Sequence, residues 1–419
     1  MTVTILFALL CAVLPTRWTV VAEHEISRPD EPATLSGVTW VSNDTYLAAT
    51  DRQPTLYELT IPVDPVSGRP GGCTVVLQSK ITGCEDVEDV ASDPLDRTKF
   101  FAVDERGGTI SRHSVTGGTA LATLKLTGAI SRTRHNMGLE SLTLSRDGRT
   151  LWTANEEAAH DDGPISCRKR GTDVRLARFR RTDESGGWQA DGEWVYRTDP
   201  IAGGSWKVRS YDAARSGVSA LCLLEDGTLL ALEREFSVVL LPRFRCRIYE
   251  VDFAGATDAS AHASITNASI TRVGKRLLHE TKGLSMYEGL CAGPRRADGS
   301  TTLILVSDAD HPFMAKSVMT LKIRPNQSPP SDAGESRKTT GDCPRPLSPY
   351  DSSTVRRTKN ILMRLQKVLR CGFIIPCDAA SYSTVKPSSL ILYLHFSARA
   401  RRRRHIIGIK QKRPLAAVF

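Results

Sequence analysis

The sequence predicts an all-β chain, a β-propeller of six blades followed by an irregular basic tail. Three observations carry this: a strand–turn–strand unit recurs, Asp-Gly turns bound its strands, and the first 324 residues hold no long helical period. The clearest unit runs Gly138-Leu139-Glu140-Ser141-Leu142, turns at Asp147-Gly148 and closes Leu151-Trp152-Thr153-Ala154-Asn155-Glu156. A second runs Gly217-Val218-Ser219-Ala220-Leu221, turns at Asp226-Gly227 and closes Leu232-Glu233-Arg234-Glu235. A third opens Tyr287-Glu288-Gly289-Leu290, turns near Asp298-Gly299 and ends Val306-Ser307-Asp308-Ala309-Asp310. An earlier copy pairs Asp86-Val87-Glu88-Asp89 with Ala102-Val103-Asp104-Glu105, and a degenerate one spans Ser36 to Asp51. Runs such as Val174–Phe179 and Arg247–Val251 supply outer strands. Five visible hairpins and one divergent blade, closed by joining the chain ends, make the expected six, with five and seven blades as the alternatives.

A hairpin returns to the end where it began. In a propeller the first strand of each blade lines the channel, so the acidic ends of the repeats converge at one mouth. Glu88, Glu140 and Glu288 from first strands meet Asp104, Glu105, Asn155, Glu156, Asp308 and Asp310 from second strands. Ser219 stands where the other repeats carry glutamate.

Charge divides the chain. Its net charge is +10, from 56 basic and 46 acidic residues. From Pro325 onward there are 18 basic and 5 acidic residues, so residues 1–324 keep 38 and 41 and are mildly acidic. A nucleic-acid reading needs a basic folded surface, and the propeller segment has none. Residues 1–22 read as a signal peptide, with apolar Val3–Leu14 and small Ala22 before Glu23, which predicts a secreted protein with no transmembrane segment in its mature core. Residues 23–324 form the propeller and 325–419 a Pro/Ser-rich linker and basic tail. Six core cysteines, Cys73, Cys84, Cys167, Cys222, Cys246 and Cys291, are open to three bridges or to buried free thiols. Asn43-Asp44-Thr45 and Asn267-Ala268-Ser269 match the glycosylation sequon.

Carboxylates crowded at one mouth repel one another unless a cation or an arginine offsets them. Calcium takes six to eight oxygen ligands from flexible loops, which suits this set. Metal ligands are expected among Glu88, Asp104, Asn155, Glu156, Asp308 and Asp310. Arg132 and Arg134, just before Glu140, and Arg234, between Glu233 and Glu235, are the candidate substrate-binding cations, because guanidinium groups clamp phosphate. Arg234 is also a counter-ion within the ring. His135 is a candidate general acid or metal ligand, and Glu140 and Glu288 complete the expected catalytic set. His160 is a weaker candidate. The chain has no GxSxG, GxxxxGK[ST] or HExxH motif.

Gly138-Leu139-Glu140-Ser141-Leu142 through Asn155-Glu156, and Tyr287-Glu288-Gly289-Leu290 through Asp308-Ala309-Asp310, resemble the phytase-like domain family described as "esterase-like activity of phytase". The likeness covers roughly residues 33–324. Its matching positions are Glu140, Asn155, Glu156, Glu288, Asp308 and Asp310, with Glu88 and Asp104 as further matches. The resemblance implies phosphoester hydrolysis. The expectation is a monomeric, calcium-dependent hydrolase of a small phosphorylated or esterified substrate. The alternatives are a non-catalytic binding propeller and a calcium-dependent lactonase or carboxylesterase. Two departures stand out: Ser219 removes one carboxylate, and the linker begins where closing strands are expected.

Overall fold

In the structure, a computed structural model, the described residues are 16–326 except 127, 135, 183–186, 204–206, 209–210, 213, 239–241 and 267. His135, the sequon at Asn267, the apolar N-terminal stretch to residue 15 and the tail from residue 327 lie outside them.

The first strand, β1 (Trp18–Ser27), is set aside until the ring closes. Blade 1 is β2 (Gly37–Ser42), β3 (Thr45–Thr50), β4 (Thr55–Thr60) and β5 (Thr74–Lys80). Blade 2 is β6 (Val87–Ser92), β7 (Lys99–Asp104), β8 (Thr109–Ser114) and β9 (Ala120–Lys125). Blade 3 is β10 (Leu139–Leu144), β11 (Thr150–Asn155), β12 (Asp173–Arg181) and β13 (Trp188–Arg197). A two-stranded ribbon, β14 (Lys207–Val208) and β15 (Tyr211–Asp212), leads to blade 4. That blade is β16 (Arg215–Leu223), β17 (Leu229–Val238), β18 (Pro242–Asp252) and β19 (Gly274–Gly283). Blade 5 takes β20 (Met286–Ala292), β21 (Thr301–Asp308) and β22 (Ser317–Pro325) from the C-terminal side. Its outermost strand is β1, antiparallel to β22 from Trp18↔Pro325 to Ser27↔Ser317.

The propeller therefore has five blades, and the expected six is corrected. Every hairpin visible in the sequence is an inner pair of one of these sheets. The runs around Val174 and Arg247 are the third strands β12 and β18 of blades already counted. Long segments between β11 and β12, β13 and β16, and β18 and β19 lengthen the later repeats, which makes room for a sixth blade in the sequence but not in space. Five apolar clusters close the ring, one between each pair of neighbouring blades. Leu305 and Leu321 of blade 5 meet Leu230 and Ile248 of blade 4, for example, while Ile304 and Val318 on the other face meet Ala48 and Leu59 of blade 1. A two-residue side-chain period gives each blade these two apolar faces.

Hairpin turns follow their sequence signals. Gly148, Gly227 and Gly299 adopt φ of 68°, 82° and 77°, the left-handed region that glycine enters without a Cβ clash. All six core cysteines are free thiols, so none of the three possible bridges forms.

Closure depends on residues ahead of Glu23. Trp18 is 3% exposed within the apolar cluster between blades 4 and 5. Its indole N–H donates to Asp226 Oδ2 (3.1 Å), and its backbone N–H donates to Glu250 Oε1 (2.7 Å). The expected cleavage after Ala22 falls inside β1. Trp18→Ala is expected to cost about 3–5 kcal/mol in denaturant unfolding, in the range of large buried aromatic truncations. A chain beginning at Glu23 is expected to melt below one beginning at Thr16; equal melting would show the first half of β1 to be dispensable.

Candidate functional site

Four of the five inner strands carry a β-bulge near the channel mouth. Their register shifts lie between Val87 and Asp89, Leu139 and Ser141, Val218 and Ala220, and Tyr287 and Gly289. The residues skipped are Glu88, Glu140, Ser219 and Glu288. A bulge leaves one residue outside the ladder and re-aims its side chain, so three glutamates and one serine occupy equivalent places.

The same register defines a second ring. Val87 pairs with Asp104, Leu139 with Asn155, Val218 with Glu233 and Tyr287 with Ser307. The residues that follow, Glu105, Glu156, Arg234 and Asp308, are therefore equivalent. Asp51 joins them: its carbonyl accepts the Val87 N–H (3.4 Å) as that of Glu156 accepts the Val218 N–H (3.1 Å). The second ring holds four carboxylates and one guanidinium. Glycines give it room, since a Cβ at Gly138 would stand 2.8 Å from Glu105 Cγ and one at Gly217 would stand 2.6 Å from Glu156 Cγ.

Alternation turns the preceding residues elsewhere. Asp104 Oδ1 accepts the backbone N–H of Asp86 (3.0 Å), and Asn155 Oδ1 accepts that of Arg175 (2.8 Å). Glu233 accepts from Tyr196 Oη (2.7 Å) and pairs with Lys275 (2.5 Å). Asp104 and Asn155, expected among the metal ligands, thus brace the backbone, while Glu105 and Glu156 face the ring.

Arg234 lies among the carboxylates. Its Nη2 is 2.6 Å from Glu156 Oε1 and 3.5 Å from Glu140 Oε1, and its Nη1 is 3.1 Å from Glu288 Oε1. These carboxylates raise its pKa against the opposing effect of burial. One guanidinium does not neutralise the whole ring. Burial, then Glu288, Glu105, Asp86 and Asp51, push the Glu88 carboxyl well up. Burial and the neighbours Glu88 and Glu156 do the same to Glu140 despite Arg234. Glu288 is raised by burial and by Asp308 against the pull of Arg234. Asp308 is pushed up to about 7 by burial, with Asp310 and Asp51 adding to it.

Away from Arg234 the acidic oxygens of blade 2 crowd together. One oxygen each of Asp86, Glu88 and Glu105 lies within 4.8 Å of the others. Arg106 reaches only the edge of this set, 3.4 Å from Asp86 Oδ2. Three carboxylates with oxygen-only chemistry and an unfavourable charge balance fit a hard divalent cation. Asp86 was not among the expected ligands, although its place before an inner strand was readable.

Other candidates fall outside the ring. Arg132 donates to Ala263 O (2.7 Å) and lies 3.4 Å from Asp161. Arg134 donates to Ala158 O (2.9 Å) and Gly163 O (2.8 Å). His160 and Asp310 are exposed. Deeper in the channel, buried Asp89 accepts the N–H groups of Val90 and Leu142 (both 2.8 Å) and presses against Gly37, tying three blades together.

Raised carboxyl pKa values bind protons on folding, so they cost stability as pH rises from the unfolded to the folded value. For Asp308 that window runs from the ordinary aspartate range to about 7. Glu88→Gln removes one such group. In cation-free buffer its melting temperature is expected to exceed the wild type's by a margin that grows as pH rises above the ordinary glutamate range. A margin that shrinks with pH would contradict this charge balance.

Solved structures share only general likeness with the chain. An oxidoreductase described as glucose dehydrogenase, from Thermus thermophilus, is 10% identical with a TM-score of 0.35, over 72% of this chain and 100% of that one. Regucalcin, a calcium-binding protein of Agrobacterium tumefaciens, is 13% identical with a TM-score of 0.31, over 71% and 79%. A streptogramin B lyase is 11% identical with a TM-score of 0.30, over 73% and 97%. At these scores none bears on the chemistry. No curated protein matches the chain. The family model for the phytase-like domain, "esterase-like activity of phytase", matches residues 33–311, and the chain belongs to that family.

Proposed function

We propose that the chain is a calcium-dependent ester hydrolase that acts on a small phosphoester at the carboxylate mouth. The observation that carries the reading is the Asp86–Glu88–Glu105 set, oxygen atoms within 4.8 Å of one another on the side of the ring away from Arg234. These three residues would hold the cation, and a cation there would polarise a phosphoryl oxygen and lower the pKa of bound water.

The remaining residues divide the work. Arg234 keeps Glu140, Glu156 and Glu288 in fixed positions through its contacts at 2.6–3.5 Å. Burial keeps a proton on Glu140 and Glu288 further up the pH scale than on free glutamate, the condition for donating it to a departing alkoxide. Arg132 and Arg134 are engaged with backbone carbonyls, so a phosphate clamp made from them requires those loops to let go. An anionic substrate then depends on the cation for its attraction to an acidic mouth.

Export belongs to the same reading. No helix among the described residues is long and apolar enough to cross a membrane. A signal peptide compatible with the closed ring ends before Trp18, because that residue is built into blade 5.

The test is to strip divalent ions and titrate calcium while following melting temperature and hydrolysis of 4-nitrophenyl phosphate, a carboxylic ester and a lactone. Calcium is expected to raise the melting temperature and support phosphoester turnover, with Glu88→Gln losing at least about tenfold in both affinity and rate, the effect of removing a buried charged partner. Turnover confined to the carboxylic ester or lactone would move the substrate class. Stabilisation without turnover would make this a binding propeller with a structural ion.

A further inference from the structure

Arg234 interrupts a pattern. At its ring position blades 1, 2, 3 and 5 carry Asp51, Glu105, Glu156 and Asp308, and only blade 4 carries a base. The inner ring changes at the same blade, where Ser219 replaces glutamate. Blade 4 thus removes one acid from the mouth and inserts a cation.

The inserted cation sits as a bound ion would. Three carboxylates from blades 3 and 5 converge on its two terminal nitrogens at 2.6, 3.1 and 3.5 Å. Its Nε has no hydrogen-bond partner among the described residues, so the guanidinium is held by charge more than by a complete hydrogen-bond fork. Beside it, Asp308 is 9% exposed and its Oδ1 has no hydrogen-bond partner among the described residues. A buried acceptor left unpaired costs free energy, and it marks coordination that the arginine does not use up.

We infer that Arg234 takes the place of a second divalent cation among Glu140, Glu156, Glu288 and Asp308, and so limits this propeller to one ion, at Asp86, Glu88 and Glu105. The inference rests on the cation-dependent reading above but makes a separate claim about stoichiometry. A guanidinium is a fixed single charge that no chelator removes. The arginine side of the mouth is therefore permanently formed, while the blade 2 side responds to the ion.

The experiment is calcium binding by isothermal titration on the full chain, with melting temperature followed in parallel. Wild type is expected to bind one calcium per chain and Arg234→Gln two, the added site raising its melting temperature on calcium addition by more than in wild type. Arg234→Lys, which keeps a positive charge, is expected to stay at one. Should Arg234→Gln fold only when calcium is present, that too supports the inference, because the ion then replaces the guanidinium. Should it not fold under either condition, Glu140→Gln and Glu288→Gln decide: affinity for the single calcium within about threefold of wild type, a change below about 1 kcal/mol, supports the inference. A tenfold or greater loss means that the ion displaces Arg234, which overturns it. One calcium in both wild type and Arg234→Gln also overturns it and leaves the cation-dependent reading intact. No binding by wild type but one ion bound by Arg234→Gln would sink that reading and the one-ion stoichiometry, and would support only the replacement of a cation by Arg234.

Discussion

Everything at the mouth follows from one backbone device. A single extra residue near the start of β6, β10, β16 and β20 lifts Glu88, Glu140, Ser219 and Glu288 out of the ladder. Without it, alternation would carry these side chains toward the blade faces, where the inter-blade clusters are apolar. With it, four unconnected segments deliver equivalent atoms to one point. The ring closure by β1 and β22 then fixes the distances, because five packed interfaces leave the blades no freedom to spread.

Concentrating carboxylates this way is costly, and the protein offsets the cost unevenly. Around blade 4 a guanidinium does so permanently. Around blade 2 Arg106 makes only a long contact with Asp86, and burial with the neighbouring carboxylates pushes Glu88 well up. Under the proposed reading an ion would bind at such a place: a fully compensated ring would have no affinity, and a wholly uncompensated one would strain the fold. Asp89, satisfied by the backbone N–H groups of Val90 in its own strand and Leu142 in blade 3, shows the other solution, a buried carboxylate used as a structural staple.

Much of this was legible in the sequence. Hairpins centred on Asp147-Gly148 and Asp226-Gly227 are inner strand pairs, and the convergence of Glu88, Glu140 and Glu288 follows from their repetition. The blade count was not legible, because segments such as 156–172 and 253–273 lengthen the repeat without adding a sheet. Nor was the choice between Asp104 and Glu105, or between Asn155 and Glu156. Adjacent residues on a strand face opposite ways, and an inserted bulge residue leaves no mark in a two-residue pattern. Arg132 and Arg134 look like phosphate clamps because sequence cannot show the carbonyls of Ala263, Ala158 and Gly163 that occupy them. Arg234 was recognisable as a counter-ion from its place between Glu233 and Glu235, but its partners come from other blades.

The most direct test of the central claim is anomalous diffraction from crystals soaked in terbium, a calcium substitute that scatters strongly. The account predicts a principal peak bounded by Asp86, Glu88 and Glu105, with Arg234 still in contact with Glu140, Glu156 and Glu288. A well-ordered mouth with no peak there, or a peak where the Arg234 guanidinium lies, would contradict it.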